Sequence, residues 1–295
     1  MPVSNIDGSE TNPIILDDGT EKVITLGRYT FSTSDGTETL VQKGSEYAQT
    51  VSLTSGSYTY QELSTYRESN ELDDLTGTNT TAKNLQEFIE KTRDNKGYYI
   101  ARYEASYGSG YNSTGSTTSE KYGNAKPLSK PSTANSTSSM NYVEETLWNY
   151  ITQGQAAKVC QNMYSGNSYV ESDLINSYAW DTAIVYIQAM GNSNYANQGR
   201  GSNTSLMNTG STGDEKCKIF DMAGNTIEWT TEYCTYTYSG EYSNYAYPCT
   251  YRGGYVDYSG AISPYPSYEY AACRCCHTAT TRFGDNSFRS ALYVK

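Results

Sequence analysis

The sequence predicts an α+β chain, loop-rich, with short strands and two or three helices. Three observations predict it: strand-like alternation near the N-terminus, stretches with apolar residues at helical spacing, and a final third of short strand-like runs separated by Gly and Asn. No internal repeat and no sharp change of composition divides the 295 residues, a length that suits one large domain.

Residues 1–21 are polar and carry Pro, Asn and Gly, the composition of a tail or linker, so the domain is expected over 22–295. Val23, Thr25, Gly27 and Tyr29 alternate with Ile24, Leu26, Arg28 and Thr30, as in a strand buried on both faces. A second strand-like run over 48–60 breaks at Ser55-Gly56-Ser57. Leu85, Phe88 and Ile89 form an i, i+3, i+4 stripe that predicts a helix from Thr81 to Arg93. Residues 97–106 read as a strand leaving a Gly turn, and 107–141, almost all Gly, Ser, Thr, Asn, Tyr and Pro, as a long loop. Two more helices are expected, over Thr152–Met163 and Ser177–Met190, the second with Ile184 and Ile187 on its inner face.

Composition narrows the functions. The formal net charge of −11 repels phosphate backbones and anionic lipid, so neither nucleic-acid nor membrane-surface binding is expected. No apolar run approaches the roughly 18 residues of a spanning helix, so no membrane insertion by this chain is expected. Tyrosine supplies 31 residues against 5 Phe and 3 Trp, so the core must use its rings and find partners for its hydroxyls. Tyrosine also suits binding surfaces, giving a large contact area for two rotatable bonds. Seven cysteines leave at least one thiol unpaired within the chain, and one histidine, His277, argues against most metal sites built on imidazole.

The most specific string is Asp221-Met222-Ala223-Gly224-Asn225-Thr226-Ile227-Glu228-Trp229. Ca²⁺ takes six to eight oxygens from carboxylates and carbonyls. Asp221 and Glu228 can offer side-chain oxygens, and a tight turn can aim the carbonyls of Gly224 and Thr226 inward. A turn entering a strand, with Asp221 capping it and Trp229 in the core, fits the same spacing.

This string resembles the D/N-x-x-G-N-x-x-E-W signature of the formylglycine-generating-enzyme (sulfatase-modifying factor) family. Other matches follow in that family's order over roughly residues 20–295. Residues 97–106 resemble its YxxxKYEVT strand, and Trp148-Asn149 with Ala156-Ala157 its W-x-x-A helix. The segment 176–181 resembles TEAEWE, Tyr251-Arg252-Gly253-Gly254 resembles RGGS, and Phe288-Arg289-Ser290-Ala291 the closing GFRxA. The resemblance implies a C-type-lectin-like fold and a structural Ca²⁺ at Asp221, Gly224, Thr226 and Glu228.

In that family an active-site thiol pair binds copper, four and nine residues after the second Gly of RGG. Those places here are Tyr258 and Ser263, neither of which can give a soft thiolate to Cu(I). A non-catalytic use of the fold is therefore expected, with a copper-dependent formylglycine-generating oxidase or a diverged relative as the alternative. The cluster Cys273-Arg274-Cys275-Cys276-His277 lacks the two separated ligand pairs of a structural zinc site. Cys160, Cys217, Cys234 and Cys249 read as small buried hydrophobes or as one or two bridges. His277 has no nucleophile held by a third residue and reads as a surface contact.

Residues 255–287 contain no Lys, Gln, Met or Trp and a single Glu, Glu269. The types present are largely those encoded by codons ending in a pyrimidine, the product expected when the adenines of AAC or AAT codons are randomised. With the missing thiols, this makes the chain similar to the variable proteins of diversity-generating retroelements. In these, a lectin-type scaffold of the formylglycine-enzyme kind carries a hypervariable C-terminal segment. A rigid scaffold lets many outward side chains change without unfolding. The candidate ligand-contact positions are Tyr255, Asp257, Tyr258, Tyr265, Tyr268, Tyr270, Cys273, Cys275, Cys276, His277, Thr278, Thr280, Thr281, Phe283 and Asp285. Arg252, Gly253, Arg274, Phe288 and Arg289 read as fixed frame. The class resemblance implies a surface protein or glycan as partner and an extracellular, cell-surface or phage-virion setting. Neither Glu-Pro-Asn nor Gln-Pro-Asp is present to support Ca²⁺-dependent sugar binding.

Overall fold

The computed structural model describes residues 88, 91–92, 97–135, 138–199, 205–238, 249–254 and 270–295, together with strand segments between 12 and 79. Its architecture is mixed α+β, with few helices and mostly short strands. β1 (Asn12–Ile15) pairs antiparallel with β2 (Glu21–Ile24), so the stretch expected as a tail contributes a strand. Asp18-Gly19, between the two, is a hairpin-turn signal that a polar composition conceals. β3 (Thr30–Thr33), β4 (Gly36–Lys43), β5 (Ala48–Leu53) and β6 (Gly56–Glu62) follow as an antiparallel meander. The run expected as one strand at 22–31 is divided between β2 and β3, and the break expected at 55–57 falls near the β5–β6 junction. β7 (Thr65–Tyr66) and β8 (Thr78–Asn79) form a short pair. Of the helix expected over Thr81–Arg93, Phe88, Lys91 and Thr92 are helical, and the remainder lies outside the described residues.

β9 (Tyr99–Ile100) and β10 (Ser106–Ser109) stand where one strand is expected. The carbonyls between them leave the ladder: Arg289 Nη1 donates to Ala101 O at 3.1 Å, and Phe220 N donates to Arg102 O at 2.8 Å. Residues 107–141 are not one long loop. β10 pairs with β11 (Lys126–Leu128) across α1 (Thr118–Tyr122), a helix too short to show a period. Thr117 and Glu120 close α1 with a capping box, each side chain accepting the other's backbone N–H. Tyrosines supply the packing: the Tyr111 and Tyr142 rings stack with centroids 3.5 Å apart, and the Tyr122 and Tyr142 hydroxyls are 2.9 Å apart.

α2 (Gln153–Asn162) and α3 (Ser177–Ala189) lie within a residue of their expected ends. Each begins at a polar residue that satisfies an orphan N–H: Thr152 Oγ1 accepts from Gln155 N at 3.3 Å, and Asn176 Oδ1 from Ala179 N at 2.7 Å. α3 is buried over most of its surface, Ile184 and Ile187 completely. It centres one core cluster with Trp180, Tyr195, Met222, Ala271 and Tyr293. α2 backs a second cluster that contains Trp148, Ile151, Val159, Ile227, Trp229, Tyr251 and Phe288.

The C-terminal strands contribute residues to both clusters. β12 (Val170–Leu174) is separated by α3 from the hairpin of β13 (Glu215–Lys216) and β14 (Ile219–Phe220). β15 (Ile227–Tyr238) is longer than the short strands expected here, because its Thr- and Tyr-rich half extends to pair with β6. β16 (Cys249–Arg252), β17 (Arg274–His277), β18 (Asn286–Phe288) and β19 (Ser290–Val294) complete the chain. The larger sheet has the order β17-β16-β15-β6-β5-β4-β3, with β18 parallel to β15, and a smaller sheet has the order β12-β19-β9. Among the described residues, no helix is long and apolar enough to cross a membrane.

Candidate functional site

Two buried ionic networks flank the C-terminal strands. The first is built on Arg289, at the junction of β18 and β19. Its Nε donates to Glu228 Oε2 at 2.7 Å, Nη2 donates to Glu228 Oε1 and to Phe220 O at 2.9 Å, and Nη1 reaches Ala101 O. Both side chains are fully buried. Burial opposes the charge on Arg289, but Glu228, Glu104 and Asp221 hold it charged. Burial pushes the Glu228 carboxyl up, and Arg289 pulls it back.

The turn of the Asp221–Trp229 string sits against this pair. Asp221 and Asn225 both have positive φ, 64° and 73°, and β15 begins two residues after Asn225. Asp221 Oδ2 accepts from Gly210 N at 2.6 Å and Oδ1 from the Thr212 hydroxyl at 2.5 Å. Glu104, a residue the sequence reading passed over, grips the far side of the turn. Its Oε1 accepts from Thr226 N at 2.9 Å and from the Thr226 hydroxyl, and its Oε2 from Asn225 Nδ2 at 2.5 Å and Thr209 Oγ1 at 3.2 Å. Burial, and then the charges of Asp221 and Glu228, raise the Glu104 carboxyl well above its ordinary value. Its sequence signals are an acid inside a strand-like, otherwise uncharged Tyr103–Ser106 run and its place as the acid of the YxxxKYEVT resemblance.

Asp221, Gly224, Thr226 and Glu228 are thus brought together, all buried. In this structure Glu228 gives both oxygens to the Arg289 guanidinium, and Asp221 gives both to protein donors, Gly210 N and the Thr212 hydroxyl.

The second network joins β16 and β17, the strands that precede and follow residues 255–269 in the chain. Arg252 on β16 and Arg274 on β17 are directly opposed, and both are buried. Both guanidiniums reach the carboxylate of Asp181 on α3, Arg252 Nη2 at Oδ1 and Arg274 Nη2 at Oδ2 (3.2 Å). Arg274 Nε also lies 3.0 Å from Glu232 Oε2, which accepts the Ser177 hydroxyl at 2.8 Å. Burial raises the Glu232 carboxyl, while Arg274 and Arg252 oppose that rise. Gly253 has φ +83°, and a Cβ there would sit 2.8 Å from Met222 O and 3.2 Å from the Trp180 ring, so glycine is required. All five residues expected as frame, Arg252, Gly253, Arg274, Phe288 and Arg289, are buried.

Tyr255, Asp257, Tyr258, Tyr265 and Tyr268 lie outside the described residues, as does Ser263; Cys275 and Cys276 are placed on β17 by backbone pairing alone. His277, Thr278, Tyr270 and Asp285 are half-buried, Thr280 is exposed, and Phe283 is 49% exposed. Two expected contact positions face inward instead. Cys273 is buried where the chain turns below Arg252, whose Nε donates to its carbonyl at 2.8 Å, and Thr281 is buried with its hydroxyl 2.9 Å from that of Thr278. His277 and Phe283 end an aromatic ladder that rises from the core. Trp229 meets Tyr251 at 6.1 Å, Tyr251 stacks on His277 at 5.5 Å, and His277 meets Phe283 edge-on at 5.5 Å.

No protein-family model matches the chain, and no curated protein matches it. A solved structure described as the crystal structure of CarF is similar at a TM-score of 0.35 and 11% identity, over 91% of this chain and 98% of that one. A score that low carries no argument about fold or function.

Proposed function

We propose that this chain is a non-catalytic recognition protein: a C-type-lectin-like domain of the formylglycine-enzyme type whose segment 255–287 is diversified by a retroelement to vary binding. Its partner is a surface protein or glycan, met in an extracellular, cell-surface or virion setting. One observation carries the reading, a division of roles within 252–289. The residues expected as frame are buried, while His277, Thr278, Thr280, Phe283 and Asp285, within the stretch of restricted alphabet, reach solvent. That arrangement supports a scaffold whose rim can change while its supports stay fixed.

The experiment is to sequence the neighbouring DNA. A near-copy of codons 255–289 with AAC or AAT where this copy differs is expected; its absence counts against the proposal. A cysteine-containing sulfatase peptide incubated with the protein and copper should remain unmodified. Formylglycine in that peptide would return the chain to the oxidases.

A further inference from the structure

Of the three tryptophans, two have their indole N–H groups paired: Trp180 Nε1 donates to Ala271 O at 2.9 Å and Trp229 Nε1 to Ile151 O at 2.8 Å. Trp148 is fully buried, and its Nε1 has no partner among the described residues. Asn286 on β18 is also fully buried, and neither Oδ1 nor Nδ2 of its amide is hydrogen-bonded there. Buried polar groups left unpaired give up their hydration for nothing, and in folded proteins nearly all find a partner in protein or ordered water.

Both side chains belong to the same side of the larger sheet. β18 runs parallel to β15, with Asn286 opposite Ile227 and Phe288 opposite Trp229. Residues two apart on a strand share a face. Asn286 therefore points with Ile227 and Phe288 into the cluster backed by α2, where the Trp148 ring meets Phe288 edge-on at 5.7 Å. Their backbones are tied as well: Ser287 Oγ donates to Trp148 O at 3.0 Å, and Asn149 Nδ2 to Gly284 O at 2.8 Å. Asn286 N donates to Phe283 O at 3.2 Å, so the amide lies at the inner end of the turn that carries Phe283 and Asp285.

The unmatched atoms define what fits between them. Trp148 offers one donor, and Asn286 offers two donors and an acceptor, so the occupant must both accept and donate. Neither side chain carries a charge to balance an ion, and an unmatched buried ion is far costlier than a buried dipole. Ca²⁺ in particular would find one amide oxygen there, where it takes six to eight. Water accepts and donates, and two to four such partners suffice to hold it.

We infer that Asn286 and Trp148 form an internal water site, in which a bound water accepts from Trp148 Nε1 and donates to Asn286 Oδ1. The site requires no recognition role of the chain.

The test begins with the isotope-labelled parent protein, so it does not depend on a variant folding. Water-selective NOE spectra should show a cross-peak from long-lived water to the Trp148 indole proton. Trp229, in the same cluster with its proton held by the Ile151 carbonyl, is the silent control. Asn286→Leu, close in size, evicts the water and strands the indole N–H, so Tm should fall by about 2–10 °C. Made on Trp148→Phe, where no indole donor remains to be stranded, the same change should cost less. No cross-peak at Trp148, an Asn286→Leu protein that melts above the parent, or an equal cost in both backgrounds overturns the inference. None of these readouts involves the neighbouring DNA or a sulfatase peptide, so the water site and the proposed function can fail separately.

Discussion

Glu228 and Arg289 meet through both carboxylate oxygens in the interior, with neither side chain reaching solvent. Between them they join the start of β15 to the β18–β19 junction, and Arg289 extends the link to the carbonyls of Ala101 and Phe220. Removing one member strands the other in low dielectric. Glu228→Ala should therefore cost about 3–5 kcal/mol, measured by urea denaturation. A loss below about 1 kcal/mol would mean that the pair is solvated in solution.

The same pairing sets the expected response to chelation. A ligand that binds only the folded state adds stability by mass action, and its removal lowers Tm. Because Glu228 is already neutralised by Arg289 and Asp221 is held by Gly210 and Thr212, EDTA should leave the melting curve where it was. A chelator-induced fall reversed by added Ca²⁺ would restore the ion to Asp221, Gly224, Thr226 and Glu228.

Glu104 predicts a pH dependence of defined sign. Its folded-state value is raised by burial and by Asp221 and Glu228. Its proton-linked stability is thus fully present below the ordinary glutamate value and is lost as pH rises through the folded value. Glu104→Gln cannot titrate, and it also sets an amide N–H₂ among the donors of Asn225 and Thr226, so at low pH it should be the less stable protein. Its deficit should narrow as pH rises from about 4.5 toward neutrality. A deficit that widens over that interval in parallel thermal melts would show the carboxylate form to be the one the turn prefers.

These relationships also explain how much could be read in advance. α2 and α3 were legible because apolar spacing and capping residues, Thr152 and Asn176, agree on the same ends. Thr152→Ala should cost about 1 kcal/mol, read from the shift in the urea midpoint. The 107–141 region was not legible, because its order comes from Tyr107, Tyr111, Tyr122 and Tyr142 packing on one another and on Trp148, a pattern with no period. The site divides in the same way. The Asp221–Trp229 string identified the turn, but the partners of its carboxylates come from far along the chain, Gly210, Thr212 and Arg289. Glu104 is held by contacts more than a hundred residues away, which no local spacing encodes. Cys273 and Thr281 are expected outward because they fall in the stretch of restricted alphabet, but the Cys273 carbonyl takes Arg252 Nε and Gly253 N, and Thr281 turns back on Thr278 through its N–H and its hydroxyl.

The aromatic ladder makes His277 a reporter of the candidate recognition face. Burial between Tyr251 and Phe283 lowers its value from the ordinary 6.5. Above that ordinary value both folded and unfolded chains carry a neutral ring, so the group contributes no pH dependence. As pH falls below about 6.5 the unfolded chain takes up the proton first, and stability is lost down to the lowered folded value. His277→Phe keeps a flat ring between the same neighbours and removes the titration. Its stability relative to the parent should rise steadily from pH 6.5 toward pH 5, roughly the span over which the imidazole charges, and should be constant above pH 7. Phe283→Ala, which opens that side of the ring to water, should shrink the acid-induced loss seen in the parent and end it at a higher pH, because a better hydrated His277 charges more readily in the folded state. Paired melts of the three proteins between pH 5 and 8 decide it: parallel curves throughout would mean that His277 is already hydrated and that the ladder stops at Tyr251.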